Sequence, residues 1–390
     1  MNEYKDIGDG IVDLLQEQAK KKSQPKELGS VADDTELKVA HFTHWTPGLS
    51  GLAEASIDLV NCERRAGLNS ILIDAYTENP TNLKQGDLVA SPWSEAIDAD
   101  VWVLHKMIPP ELMEKNKELK IPIVAVLHGT VQDMFIQNFL DEQTDWWNIQ
   151  INLMNTYDAS VCVCPYDYEV NRLYIKDESK LFYIREAVDP QRFTPEGSKF
   201  EFRFHPALIA KDTIRTHKYP FFALWSMPKV VQRIPDARLN LFCLHLVDMC
   251  KWRNFFLRSN EKGNLRGTIE TLNMIGYYDI TPFIRGSDIT INSDYLGGQS
   301  RTVPESMMCG KPVVAAGRHN DYTKYTFDFG DSDSFADAIE SCWNDLLNEP
   351  NEVRETCLHF ADEHFNLEKK IPKWLNLYHK VIENGSKNRS

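Results

Sequence analysis

The chain is poor in basic residues for its size: 43 Lys and Arg stand against 57 Asp and Glu, a formal net charge of −14 over 390 residues. A field of that sign repels phosphate backbones and anionic headgroups, so bulk nucleic acid is excluded as a general partner and any phosphate has to be met in a local basic cleft. Paired cysteine motifs are missing too. The eight Cys lie mostly inside apolar runs with no C-x-x-C spacing, and they read as reduced core thiols. Cys162 and Cys164 alternate along one strand without a neighbouring His or Cys cluster, so no metal site is expected. No apolar run is long enough to cross a bilayer, and the opening MNEYKDIGDG has neither a basic nor an apolar leader region. The expectation is a cytoplasmic protein with no transmembrane segment. The absence of G-x-S-x-G and Walker sequences argues against hydrolase and kinase readings.

What is present is an ordinary globular composition, 42% hydrophobic and 26% charged. At roughly 150 residues per domain the length predicts two domains. Residues 1–36 are charged, carry Lys20-Lys21-Lys22, and read as an N-terminal extension with one short helix around Ile11 to Gln18. From Leu37 the pattern becomes short β-branched runs separated by helical stretches: LKVAHF, NSILID, DVWVLH, IPIVAVLHG, DASVCVC and KLFYI. Continuous apolar strands of this kind imply a parallel sheet covered on both faces. The first crossover helix places Leu52, Ala55, Leu59 and Val60 on one face and stops at Gly67.

A second series follows the polar stretch DPQRFTPEGS, with FEFRF, ARLNLFCL, DITIN and KPVVAA as strands. Helices are expected from Phe221 to Arg233, with Pro228 as a kink, and from Ser334 to Leu347. The reading is therefore an α/β protein of two Rossmann-like doubly wound domains facing across a cleft. Residues 1–36 are the extension, 37–190 the first Rossmann-like domain, 191–360 the second, and 361–390 a closing helix and tail. In such folds ligands sit beyond the carboxyl ends of the strands, here in the interdomain cleft.

The most informative stretch is DITINSDYLGGQSRTVPESMMCGKPVVAAG at 288–317. A strand enters a Gly-bearing loop and then a short helix, so backbone amides from Ser300 to Val303 are expected to favour a phosphate. Glu305, one turn in, is within reach of a sugar hydroxyl pair. The same Thr302-Val303-Pro304-Glu305 is also a T-x-x-E capping box, and spacing alone leaves the two readings level.

This stretch resembles the signature of retaining glycosyltransferases of the GT-B architecture, whose carboxyl-terminal domain carries E-x7-E followed by a C/A-G-x-P-V-V strand. Glu305 falls on the second Glu, and SMMCGKPVVAAG matches closely. TPGLSGLAEASIDLVNCERRAGLNSILI resembles the family's opening Gly-rich loop and helix, with Gly48 and Gly51 in the loop that approaches phosphate or acceptor. AVLHGT resembles the strand end whose His, here His128, contacts the transferred sugar. REAVDPQRFTPEG resembles the interdomain N-G-V-D-x-x-x-F-x-P, with Val188, Asp189, Phe193 and Pro195 kept and Asn-Gly replaced by Glu186-Ala187. The resemblance covers about residues 38–385. It implies that Glu305 holds the donor ribose and that the amides just before it, with Ser300, Thr302, Val303, Gly297 and Gly298, hold the diphosphate.

Two departures stand out. Gly297 occupies the place of the first Glu of E-x7-E, which in the family lies beside the reaction centre. The family's basic pair keeps its Lys as Lys218, but its Arg position holds Thr213. Arg215, Arg203, Lys211 and Arg301 are the cations available to replace it. Elsewhere, Asp331-Ser332-Asp333 has a metal-binding D-x-D form, yet it precedes a helix and reads better as its cap. His44 is expected to line the cleft and His41 to be packed on its strand. Trp146 and Trp147 read as helix packing.

The resemblance implies a retaining, metal-independent glycosyltransferase without a resident cofactor. Its donor is a nucleoside-diphosphate sugar, UDP-sugar first, and its acceptor is unidentified: a glycan, a lipid-linked sugar, a protein or a modified nucleic-acid base. No strong protein base is needed if the departing phosphate takes the acceptor proton. Gly297 motivates a competing reading as a non-catalytic nucleotide-sugar-binding or scaffold protein.

Overall fold

The computed structural model describes residues 37–44, 51–78, 80, 84–85, 88–105, 107–132, 146–211, 221–243, 269–273, 280–294, 300–316 and 321–387. The extension at 1–36 lies outside them.

The amino-terminal half alternates strands and helices in chain order. It runs β1 (Lys38–Thr43), α1 (Gly51–Arg65), β2 (Asn69–Asp74), β3 (Lys84–Gln85), β4 (Leu88–Ser91) and β5 (Val101–Leu104). There follow α2 (Pro110–Leu119), β6 (Ile123–Leu127), α3 (Trp146–Thr156), β7 (Ala159–Cys162), α4 (Pro165–Asn171) and β8 (Leu181–Tyr183). These strands form one sheet in the order β3-β4-β2-β1-β5-β6-β7-β8, parallel except for the short β3–β4 edge pair. Each predicted apolar run from LKVAHF to KLFYI contains one of its strands. Gly67 ends the turn after α1 with φ 94°, a conformation that a side chain makes costly.

The carboxyl-terminal half begins with β9 (Ala207–Lys211), α5 (Phe221–Arg233), β10 (Arg238–Cys243) and β11 (Ile269–Asn273). It continues with α6 (Thr281–Gly286), β12 (Ile289–Asn292), α7 (Thr302–Met308), β13 (Val313–Ala316) and β14 (Thr326–Phe327). The second sheet is parallel throughout, in the order β11-β10-β9-β12-β13-β14. Three helices close the chain: α8 (Ser332–Asn348), α9 (Pro350–His364) and α10 (Ile371–Lys387). The architecture is two Rossmann-like domains.

One strand expectation fails. FEFRF is not extended into a sheet; the first strand of the second domain is the next segment, ALIAK. The aromatic alternation serves side-chain stacking instead. Phe200 packs on Phe202 and Phe283, with centroids 4.8 Å apart in each pair, and the Arg203 and Arg238 guanidiniums lie over Phe204. Pro228 is accommodated inside α5, and Asp331 caps α8 by accepting from the amides of Asp333 and Ser334, as the spacing predicts.

The domains are joined by two chain crossings that lie side by side. Val188 bonds through its amide to the Phe365 carbonyl and through its carbonyl to the Leu367 amide. The second crossing carries the chain back, so α10 covers the amino-terminal sheet. Trp374, Leu375, Leu377, Tyr378 and Val381 share a buried cluster with Val39, Val103, Val126 and Val161. Burying such residues is the dominant favourable contribution to this junction, at about 1.5–3 kcal/mol for each large apolar side chain.

Candidate interdomain site

Helix α1 buries three carboxylates, Glu54, Asp58 and Glu63, beside its apolar stripe. The spacing of four puts Glu54 and Asp58 on one face, while Glu63, five residues further on, falls on another. Buried carboxylates need partners, and these three have them. Arg192 reaches Glu54 and also Asp58, the latter at 3.3 Å. Arg301, from the start of α7 in the other domain, donates from three nitrogens to three carboxylates. These are Nε to Glu305 at 3.0 Å, Nη1 to Glu186 at 3.0 Å, and Nη2 to Asp58. Nearby, Arg65 clamps Asp189 with bonds of 2.6 and 3.0 Å, and the Asp189 amide donates to Asp58 at 3.1 Å.

The electrostatics follow from burial. Desolvation opposes the Arg301 charge, but Asp58, Glu305, Glu186 and Glu54 more than offset it and hold the guanidinium above its ordinary value. Burial raises the Glu186 carboxyl, and Arg301 opposes that rise only in part. Two guanidiniums, Arg192 and Arg301, thus bind four carboxylates at the domain boundary.

The third acid of α1 points the other way, into the amino-terminal domain. Glu63 accepts from Ser70 Oγ at 2.6 Å, from Tyr378 Oη at 2.7 Å, and pairs with His41 Nε2 at 2.7 Å. His41 Nδ1 lies 3.3 Å from His105 Nε2, and His105 Nδ1 lies 3.3 Å from His128 Nε2. Adjacent parallel strands carry these rings: His41 within β1, His105 just after β5, His128 just after β6. His105 and His128 line a small cavity of about 30 Å³, shared with Ala55, Ile184, Glu186 and Trp374. Burial, reinforced by the Arg301 charge, pushes His128 down to about 3. Burial, then the neighbouring His128 and His41, holds His105 well below its usual range.

Of the residues singled out from sequence, His128, Glu305 and Arg301 meet at this boundary. Arg301 is occupied by carboxylates rather than held free for a diphosphate. Glu305 bonds to Arg301, and the helix cap position is Arg301, whose side chain makes no cap bond, so Thr302 is the first helical residue and not the cap. The Val303 amide is taken by the Ser300 carbonyl at 2.9 Å, and Ser300 Oγ meets Thr302 Oγ1 at 3.4 Å. Gly51 opens α1, and a methyl group there would meet no atom of the described residues beyond its own helix within 4 Å. Gly48, Thr213, Arg215, Lys218, Gly297 and Gly298 lie outside the described residues. His44 is exposed and packs edge-on against Tyr76, while His41 is buried and belongs to the histidine row.

Sequence reasoning missed Asp58, Glu63 and His105. The available signal for the two acids was their place beside the apolar stripe of the crossover helix. Among the described residues, no group of three or more His, Cys, Asp or Glu side chains is arranged to hold a metal ion, and no helix is long and apolar enough to cross a membrane.

No family model matches the sequence, and no curated protein matches it. Solved structures do match in fold. The Anabaena protein Alr3699/HepE in complex with UDP-glucose superposes with a TM-score of 0.65 at 13% identity, covering 90% of this chain and 100% of that one. A glycosyltransferase from Rickettsia africae gives 0.64 at 16% identity, covering 90% and 99%. The pneumococcal O-GlcNAc transferase GtfA with UDP and GlcNAc gives 0.62 at 10% identity, covering 89% and 99%. This likeness extends across both domains and establishes the GT-B arrangement.

Proposed function

We propose that the protein is a glycosyltransferase that takes a nucleoside-diphosphate sugar in the interdomain cleft. The observation that carries this reading is the position of Glu305. It lies in the first turn of α7, at the domain boundary, and is bridged by Arg301 to the helix that follows β1. In this reading Glu305, while paired with Arg301, contacts the donor ribose. His128, across the boundary on the amino-terminal domain, faces the transferred sugar.

Because Arg301 is neutralised by carboxylates, the charge developing on the leaving diphosphate falls to Lys218 and Arg215, with loop amides at Gly297 and Gly298. Transfer is metal-independent and proceeds with retention, as the sequence resemblance implies. UDP is the first choice of nucleotide because two of the structural relatives hold it.

A thermal-shift panel of UDP-, GDP-, ADP- and dTDP-sugars in the presence of a chelator tests the reading. One nucleotide should raise the melting temperature, since a ligand at about one hundred times its dissociation constant stabilises the folded state by about 2.7 kcal/mol. No response to any of the four overturns the donor site. A response only with added Mg²⁺ or Mn²⁺ keeps the donor and overturns the metal-free mechanism. Release of nucleoside diphosphate by the wild type with an acceptor panel separates an enzyme from a binding protein.

A further inference from the structure

We propose that Glu63, His41, His105 and His128 form a proton relay, in which a proton accepted at His128 Nδ1 is stored on His41 beside Glu63. The hydrogen bonds allow one self-consistent arrangement of the neutral row, and one further proton can rest on any of the three rings. With all three rings neutral and the Glu63 carboxylate accepting, His41 carries its proton on Nε2. That leaves His41 Nδ1 to accept from His105 Nε2–H, and His105 Nδ1 to accept from His128 Nε2–H. His128 Nδ1 is then the one bare nitrogen at the end of the row.

A proton entering there inverts the whole row. His128 gains a proton on Nδ1 and passes its Nε2 proton to His105 Nδ1. His105 passes its Nε2 proton to His41 Nδ1. His41 ends as an imidazolium that still donates from Nε2 to Glu63, while His105 and His128 finish neutral with their protons on Nδ1.

The surroundings favour this end point. The middle and outer rings are poor resting places for positive charge: burial disfavours it at both, and Arg301 repels it at His128. Among the described residues, His41 alone of the three has a carboxylate on its ring, and that carboxylate is fixed by Ser70 and by Tyr378 from α10. At the outer end, Glu186 lines the cavity with His128 while its own charge is engaged by Arg301. Arg185 borders the same cavity.

The catalytic use of the relay rests on the glycosyltransferase reading. As the acceptor oxygen bonds the anomeric carbon, the sugar–phosphate bond breaks with its electron pair on the diphosphate. The hydroxyl proton of the acceptor has a destination in the protein through His128. Glu63, His41 and His105 are positioning residues in this scheme, since they act through His128.

Nitrogen-15 NMR of histidine-labelled full-length protein, without nucleotide sugar, tests the relay between about pH 5 and about pH 9. His41→Gln, His105→Gln and His128→Gln assign the signals. His41 should gain a proton at the same midpoint at which His105 and His128 change from the Nε2–H to the Nδ1–H tautomer. Glu63→Gln should lower that midpoint by about one pH unit or more. A His128 tautomer that stays fixed through the titration of His41, an imidazolium on His105 or His128, or no change in any of the three across the range overturns the relay. The acid limb of kcat/KM should share the midpoint and move with it in Glu63→Gln. A shared titration in a protein that no nucleotide sugar stabilises would support the relay while refuting the transfer reading.

Discussion

The Arg301 guanidinium and the Asp58 carboxylate form a buried ion pair between residues 243 positions apart, one in each domain. The pair does not stand alone, because Glu186 and Glu305 share the same guanidinium. Glu186 stands where the resembling family has Asn, so its carboxylate and Arg301 complete each other at the hinge.

Replacing Arg301 by Met should therefore destabilise the whole protein, not merely weaken a ligand. Removing one partner of a buried ion pair leaves uncompensated charge and costs about 3–5 kcal/mol. Urea denaturation checks this. A loss below about 1 kcal/mol would mean that the cluster is solvated in the folded protein.

Glu305→Gln separates the structural role of this residue from its ligand role. The amide oxygen still accepts from Arg301 Nε, so the fold should persist. The ribose contact loses a charge-assisted hydrogen bond, worth about 1.5–3 kcal/mol, and donor affinity should fall by roughly 10- to 150-fold. Calorimetric titration of the nucleotide sugar that emerges from the thermal-shift panel reads this, and unchanged affinity in a folded mutant would assign Glu305 to the hinge alone.

Stability should fall on the acid side through the buried histidines. His105 and His128 are held below their ordinary value of 6.5, His128 to about 3, so the unfolded chain binds more protons than the folded one as pH drops below 6.5. Their contribution is fully present above 6.5 and is lost as pH falls, that of His128 toward about 3, at up to about 1.4 kcal/mol per pH unit for each ring. The urea midpoint measured from pH 7 to pH 5 should decline, and His128→Gln should flatten the decline. An equal slope in the mutant would exclude His128 as a source.

The closing helix should matter to the domain it covers rather than to the domain that precedes it in sequence. Trp374 is 4% exposed and packs in the amino-terminal core. Trp374→Ala should cost about 3–5 kcal/mol. Hydrogen exchange should locate the loosening in β1, β5 and β6; protection lost only in the second sheet would contradict the packing.

Much of the fold is written in local sequence. Continuous apolar runs such as IPIVAVLHG can be buried on both faces only in a covered parallel sheet, and Gly67 and Asp331 mark helix ends by their own backbone chemistry. FEFRF misleads because alternating aromatics satisfy a strand pattern and a stacked cluster equally well. The placement of Glu305 in the first turn of α7 and of His128 at a strand end was legible in the sequence. Their neighbours were not. The acids within the apolar crossover helix hint at Asp58 and Glu63, but their roles, like that of His105, come from partners tens to hundreds of positions away.

The sequence by itself determined the alternation of strands and helices, and hence two doubly wound domains, because periodicity and turn chemistry act within a few residues. Only the tertiary structure decided that Arg301 is enclosed by carboxylates and that three histidines align behind the cavity. It also decided that α10 returns to the first domain. Ion pairing, desolvation and hydrogen-bond direction depend on which groups the two sheets and their crossings bring within about 3 Å, and that is a property of the assembled chain.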